Sequence, residues 1–120
     1  MHINNYMTNN DIEVVDSGVD FATTRVEFSE KLTNYYGYFH GGLYFSMADS
    51  AAGIAARSNG SNYVTLNANI NFMVAVKSGH IYAKARVISR TSKICLVEVN
   101  IFDDNDRLVN SGTYTMYRVQ

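Results

Sequence analysis

The spacing of hydrophobic and polar positions changes twice along the chain. Residues 11–16 (DIEVVD) and 20–28 (DFATTRVEF) are short runs rich in β-branched and aromatic residues, separated by the turn signal Ser17-Gly18. They predict two short strands. Residues 29–39 are mixed, and Gly37 among the tyrosines predicts a structured loop with a helical turn. From residue 40 to 60 alternation disappears. Leu43, Phe45, Met47, Ala48, Ala51, Ala52, Ile54, Ala55 and Ala56 cover nearly every face of a helix. A helix that is apolar all round is buried all round. At about 16 residues, or ~24 Å, it is too short to span a bilayer. Arg57 supplies a cation near its end and Gly60 a stop.

After Gly60 the period becomes two. In residues 63–76 every even position is apolar (Val64, Leu66, Ala68, Ile70, Phe72, Val74, Val76), which predicts a long strand with one buried face. Lys77-Ser78-Gly79 turns the chain, and residues 80–90 alternate again with Ile81, Ala83, Ala85 and Val87 inward. Residues 93–102 and 107–119 predict two further strands, joined through the turn signal Asp103-Asp104-Asn105-Asp106. The short connections predict that the last four strands form an antiparallel meander. Residues 1–10, polar and Asn-rich, are expected to be a loosely packed N-terminal segment, with 11–120 a single domain. One flat sheet cannot bury a helix on all sides, so the sheet must curl around it. That α+β layout, a curved antiparallel sheet wrapped around one long central helix, is the hotdog fold.

Composition narrows the function. The 120 residues are 47% hydrophobic, enough for an ordinary core. Ten Lys and Arg against eleven Asp and Glu give a net charge of −1, without the basic excess of a general nucleic-acid binder. No stretch reads as a membrane span. The first Lys or Arg is Arg25, so no secretory signal is expected, and the single Cys95 suits a reducing, cytoplasmic compartment. Cys95 itself is expected to be a buried packing residue. There is no proline to protect strand edges. A domain this small buries a limited share of its surface, so oligomerisation is expected.

Asp49 is the only charged side chain within residues 40–56. A carboxylate there either meets water at a subunit cleft or is a catalytic group in a partly dry pocket; the absence of other charged groups around it favours the second. His40-Gly41-Gly42 opens the same helix. It is either an ordinary loop-to-helix junction or, through the free N–H groups of a first helical turn, an oxyanion site. Eight residues separate Gly41 from Asp49, about 12 Å of helix. Groups that share one reacting carbonyl must converge to about 3 Å. One helix cannot achieve this, but two antiparallel copies related by a two-fold axis can. If both motifs are catalytic, the enzyme is at least a homodimer.

The pattern Asn34-x-x-Gly37-x-x-His40-Gly41-Gly42 followed by Asp49 resembles the PaaI-type branch of the hotdog thioesterases, and the strands from NFMVAVKSGH to VEVNIFDDNDRLV are similar to theirs. The resemblance covers nearly the whole chain beyond about residue 11. It implies hydrolysis of acyl- or aryl-coenzyme A thioesters without metal or cofactor, in a homodimer that pairs further into a homotetramer, a dimer of dimers. Gly41 N–H would polarise the thioester carbonyl. Asp49 of the partner subunit would act as nucleophile or general base, Asn34 would position water or the reacting group, and His40 would support the loop. Gly42 and Ser50 are added as substrate-binding residues. Arg57, Arg90 and Lys93 are the candidate contacts to coenzyme A phosphates, whereas Lys84 and Arg86 belong to a solvated sheet face. Tyr35, Tyr36, Tyr38 and Phe39 either line an acyl pocket or pack under the helix entrance. Two departures stand out. Gly53 lies where several relatives carry a hydroxyl, with Ser50 or Ser46 as substitutes. Val74-Ala75-Val76 lies where relatives often carry proline. The alternatives are an acyl-CoA-binding hotdog module without catalysis and a hydratase of the same fold. The hydratase ranks lower because His40 stands in the HGG setting.

Overall fold

The computed structural model describes residues 3–120. A short helix α1 (Asn5–Asn9) precedes strands β1 (Glu13–Gly18) and β2 (Phe21–Glu27). A single 3-10 turn (Glu30–Leu32) leads to helix α2 (Gly41–Arg57). Strands β3 (Tyr63–Phe72), β4 (His80–Arg90), β5 (Ile94–Asp103) and β6 (Leu108–Arg118) follow. One six-stranded antiparallel sheet in the order β1-β2-β4-β5-β6-β3 packs against α2. This is the expected hotdog architecture. No helix among the described residues is long and apolar enough to cross a membrane.

Residues 1–10 carry more structure than their composition suggests. The Asn4 side chain caps α1 by accepting from Met7 N–H at 2.9 Å, and Met7 is buried. Tyr6 Oη lies 2.7 Å from Ser46 Oγ, tying α1 to the middle of α2. Residues 1 and 2 of that segment lie outside the described residues.

The helix is buried by small side chains. Leu43, Tyr44, Met47, Ala48, Ala51, Ala52, Ile54, Ala55 and Ala56 are all buried, and the alanines let the sheet approach closely. Thr24 on β2 is also buried, and its hydroxyl donates to Met47 C=O at 2.8 Å. The burial is not complete within one chain. Gly42, Phe45, Ser46, Asp49, Ser50 and Arg57 lie along one stripe and keep solvent contact.

The meander is corrected by the sheet order. Strands β4, β5 and β6 do form one, but β3 pairs with β6 and stands at the sheet edge. Reaching β4 from β3 means crossing three strand positions, about 14 Å. The seven linking residues can span about 23 Å, so a loop short enough to suggest a hairpin is long enough to cross. It is held in place by Met73 and Val74 N–H on Val109 C=O (3.0 and 3.1 Å) and by Val76 C=O, which accepts from Phe39 N–H at 2.9 Å.

The single buried face expected of residues 63–76 is corrected as well. The β3–β6 register shifts between Thr65 and Asn67, a β-bulge at Leu66. Before the bulge Tyr63 and Thr65 point towards α2; after it Ala68 and Ile70 do. Val64 and Leu66 are therefore 51% and 62% exposed rather than buried. An extra residue inverts the pleat, which a count of alternating residues cannot register.

Arg90 closes the C-terminal end of α2. Its Nη1 donates to Ala56 C=O at 3.0 Å and to Tyr63 Oη at 3.1 Å, and its Nη2 pairs with Asp20 Oδ1 at 2.7 Å. Ser58 Oγ adds a bond to Ala55 C=O and accepts from Asp20 N–H. Cation and donors thus meet the orphan carbonyls and the negative end of the helix dipole. Arg90→Leu is expected to lower stability by about 1–3 kcal/mol in urea unfolding. An unchanged midpoint would remove Arg90 from this role.

Candidate active site

Asp49 sits on the open stripe of α2, half-buried. Its Oδ1 accepts from Thr65 Oγ1 at 2.5 Å. Burial pushes the Asp49 carboxyl above the usual carboxylate range, while the Thr65 hydroxyl and the Arg57 cation pull against that shift. The result is a carboxylate that is partly desolvated, held at one oxygen and open at the other. It lines a cavity of about 260 Å³ with Ser50, Gly53, Arg57, Thr65 and residues of α1.

Thr65 was not among the expected site residues, because simple alternation assigned it to the polar outer face of its strand. The bulge turns it inward to meet Asp49. Nothing in the local sequence marks that bulge. The hydroxyl that bonds Asp49 is that of Thr65 on β3. Ser46 is occupied by Gly42 C=O and Tyr6, whereas Ser50 lines the Asp49 cavity.

The entrance of α2 is built by His40, whose Nδ1 accepts from Gly42 N–H at 2.8 Å as the N-cap. This fixes the loop and leaves the Gly41 N–H without an acceptor among the described residues. Gly41 shares a cavity of about 260 Å³ with Asn34, Phe39, Tyr44 and the segment 72–75. The Asn34 side-chain oxygen is spent on the loop, accepting from Tyr36 and Tyr38 N–H at 2.9 and 3.1 Å. Only its amide NH₂ remains for a ligand. Phe39 is buried against Phe28 and Tyr44, so it packs under the helix entrance, while Tyr35 and Tyr36 are 95% and 78% exposed.

Within one chain, then, Asn34 and Gly41 share one cavity and Asp49, Ser50 and Arg57 another. His40 and Gly42 face a third, beside Tyr6, Lys31 and Ser46. Arg90 is corrected as a phosphate contact: its guanidinium is engaged at the end of α2 by Asp20, Ala56 and Tyr63. Lys93 is exposed in the β4–β5 turn and lines none of the three cavities. Cys95 is buried.

Comparison with known proteins identifies the fold and the family. The sequence profile of the family described as the Thioesterase superfamily matches residues 36–110. The conserved Pseudomonas aeruginosa protein PA5202 superposes with a TM-score of 0.94 at 30% identity, covering 98% of this chain and 96% of that one. The 1,4-dihydroxy-2-naphthoyl-CoA hydrolase of Listeria monocytogenes is 30% identical over 101 residues, 82% of each chain. A hypothetical thioesterase from Streptococcus pneumoniae has been solved as two alanine mutants, each 26% identical with a TM-score of 0.85, covering 90% of this chain and 90% or 89% of theirs. One replaces an aspartate and the other a threonine sixteen positions later, the separation of Asp49 and Thr65 here. With a profile spanning most of the chain and a relative at this identity, the protein belongs to the thioesterase superfamily.

Proposed function

We propose that the protein hydrolyses an acyl- or aryl-coenzyme A thioester to the free acid and coenzyme A. The observation that carries this reading is the Asp49–Thr65 pair: a partly desolvated carboxylate with one oxygen held and one open, beside a cavity. As general base, Asp49 takes a proton from water while that water adds to the thioester carbonyl. As nucleophile, it adds to the carbonyl itself, coenzyme A leaves as thiolate, and water then hydrolyses the mixed anhydride. In either case negative charge develops on the carbonyl oxygen, and the free N–H of Gly41 is suited to receive it. The Asn34 amide would orient the water or the thioester. Lys93 is retained as an exposed contact for the coenzyme phosphates, and Arg90 is not.

The Gly41 and Asp49 cavities are separate within one chain, so the proposal includes a homodimer in which Gly41 of one copy meets Asp49 of the other. Support comes from β3. It is an edge strand without charge along its length, and Val64, Leu66 and Phe72 are 51%, 62% and 54% exposed. Such an edge is a template for pairing. Association of two dimers into a tetramer is part of the same proposal.

Asp49→Ala is expected to lower thiol release by at least about a hundredfold, read with a chromogenic thiol reagent across acyl- and aryl-CoA substrates. Activity equal to wild type would sink Asp49's role. Coenzyme thioester binding without turnover would point to a binding module instead. Because the active form is the carboxylate, kcat/KM should fall as pH drops through the raised Asp49 pKa, above the ordinary aspartate range, and Thr65→Val should move that limb higher. The stability sign is opposite. Between the unfolded and folded pKa the native state holds more proton, so this group's contribution weakens as pH rises. Asp49→Asn should therefore not lower the melting temperature at neutral pH although activity is lost. By light scattering the wild type should run as a dimer or larger, and Leu66→Lys should shift it towards monomer and reduce activity together. A fully active monomer would exclude a shared site.

A further inference from the structure

Arg57 is an unpaired cation in the reacting cavity. It lines the same space as Asp49, and it forms no ion pair or side-chain hydrogen bond among the described residues. Its guanidinium folds back along α2 towards Gly53. A Cβ at Gly53 would lie 2.9 Å from Nη1, 3.7 Å from Cζ and 3.9 Å from Nη2 of Arg57, its three nearest neighbours. Gly53 is thus the bare patch on which the guanidinium rests. Long side chains on a helix lean towards its N-terminus, and Arg57 to Gly53 is one such step. Gly53 stands four residues from Asp49, about 6 Å along the axis. The cation is close enough to pull the Asp49 pKa down against burial.

On the thioesterase reading, the carbonyl carbon sits about 3 Å from Asp49. The coenzyme's own phosphates are badly placed for Arg57. The pantetheine arm puts the nearest one about a dozen bonds, on the order of 15 Å, from the sulfur. An anion on the acyl side, two or three methylenes beyond the carbonyl, falls at the right separation. We infer that Arg57, laid over Gly53, recognises a carboxylate on the acyl group, so that the preferred substrates are short dicarboxylic mono-thioesters of coenzyme A. The inference rests on the proposed thioesterase activity and adds the acyl class to it.

The test compares glutaryl-CoA with valeryl-CoA, equal in chain length and different in terminal charge. For wild type, kcat/KM should favour glutaryl-CoA by about tenfold or more, as a charged hydrogen bond would give. Arg57→Gln should erase most of that ratio, and Arg57→Lys should keep part of it. Gly53→Ala provides a variant that folds: a helix-favouring residue should not lower the melting temperature, yet its methyl displaces the guanidinium and should reduce the ratio. A wild-type ratio near one overturns the inference, as does a ratio that Arg57→Gln leaves intact. If Arg57→Gln instead raises KM equally for both substrates, and 3′-dephospho-coenzyme A thioesters escape the effect, the anion is the coenzyme phosphate and the acyl assignment fails. Valeryl-CoA turnover without glutaryl preference would reject only this inference. No thiol release from either substrate or from any other acyl-CoA would reject the thioesterase reading itself.

Discussion

Burial of α2 is the constraint from which the other features follow. Seventeen residues with a single carboxylate in their middle can persist in water only if almost every face is covered. The sheet does this by curving, and the four buried alanines at 51, 52, 55 and 56 bring its backbone close. Both helix ends carry orphan backbone groups that need partners. His40 Nδ1 serves the first turn and Arg90 with Ser58 the last. The stripe the sheet leaves open carries Gly42, Phe45, Ser46, Asp49, Ser50 and Arg57, so the uncovered surface and the candidate chemistry coincide.

Asp49 shows how such a site is tuned. Full burial would neutralise a carboxylate, and full exposure would leave it hydrated and unreactive. Here desolvation is the largest influence, and the Thr65 hydroxyl and Arg57 cation oppose it without cancelling it. Thr65 reaches Asp49 because one extra residue in β3 inverts the pleat. The same inversion puts Val64 and Leu66 outside. One bulge therefore completes the carboxylate's environment and leaves an apolar edge available to a second chain.

Much of this was legible in the sequence, for definable reasons. Absence of alternation from 40 to 60 located α2, because an all-round apolar helix has no other reading at that length. Period two located β4, whose inward residues Ile81, Ala83 and Ala85 are buried. Asp49 stood out because its neighbours are uncharged. What was hidden depends on contacts distant in sequence. The partner of β3 is decided by what a seven-residue loop can cross, not by its composition. Thr65 was hidden by a register shift that leaves no residue signature. Arg90 read as a free cation because Asp20, 70 residues away, and the carbonyls of α2 are brought to it only by the fold.

The departure at Gly53 lies within the same cavity as the Asp49–Thr65 pair. In residue terms the helix lacks a hydroxyl one turn after its carboxylate. In space, a hydroxyl reaches Asp49 from another element, Thr65 on β3, while the position on α2 carries no side chain. Gly in a helix interior costs about 1 kcal/mol relative to Ala, and here the vacancy is filled by the Arg57 guanidinium lying across it. Bare helix, Thr65 hydroxyl and folded-back cation line one cavity, and together they put a positive charge one turn from a half-buried Asp49.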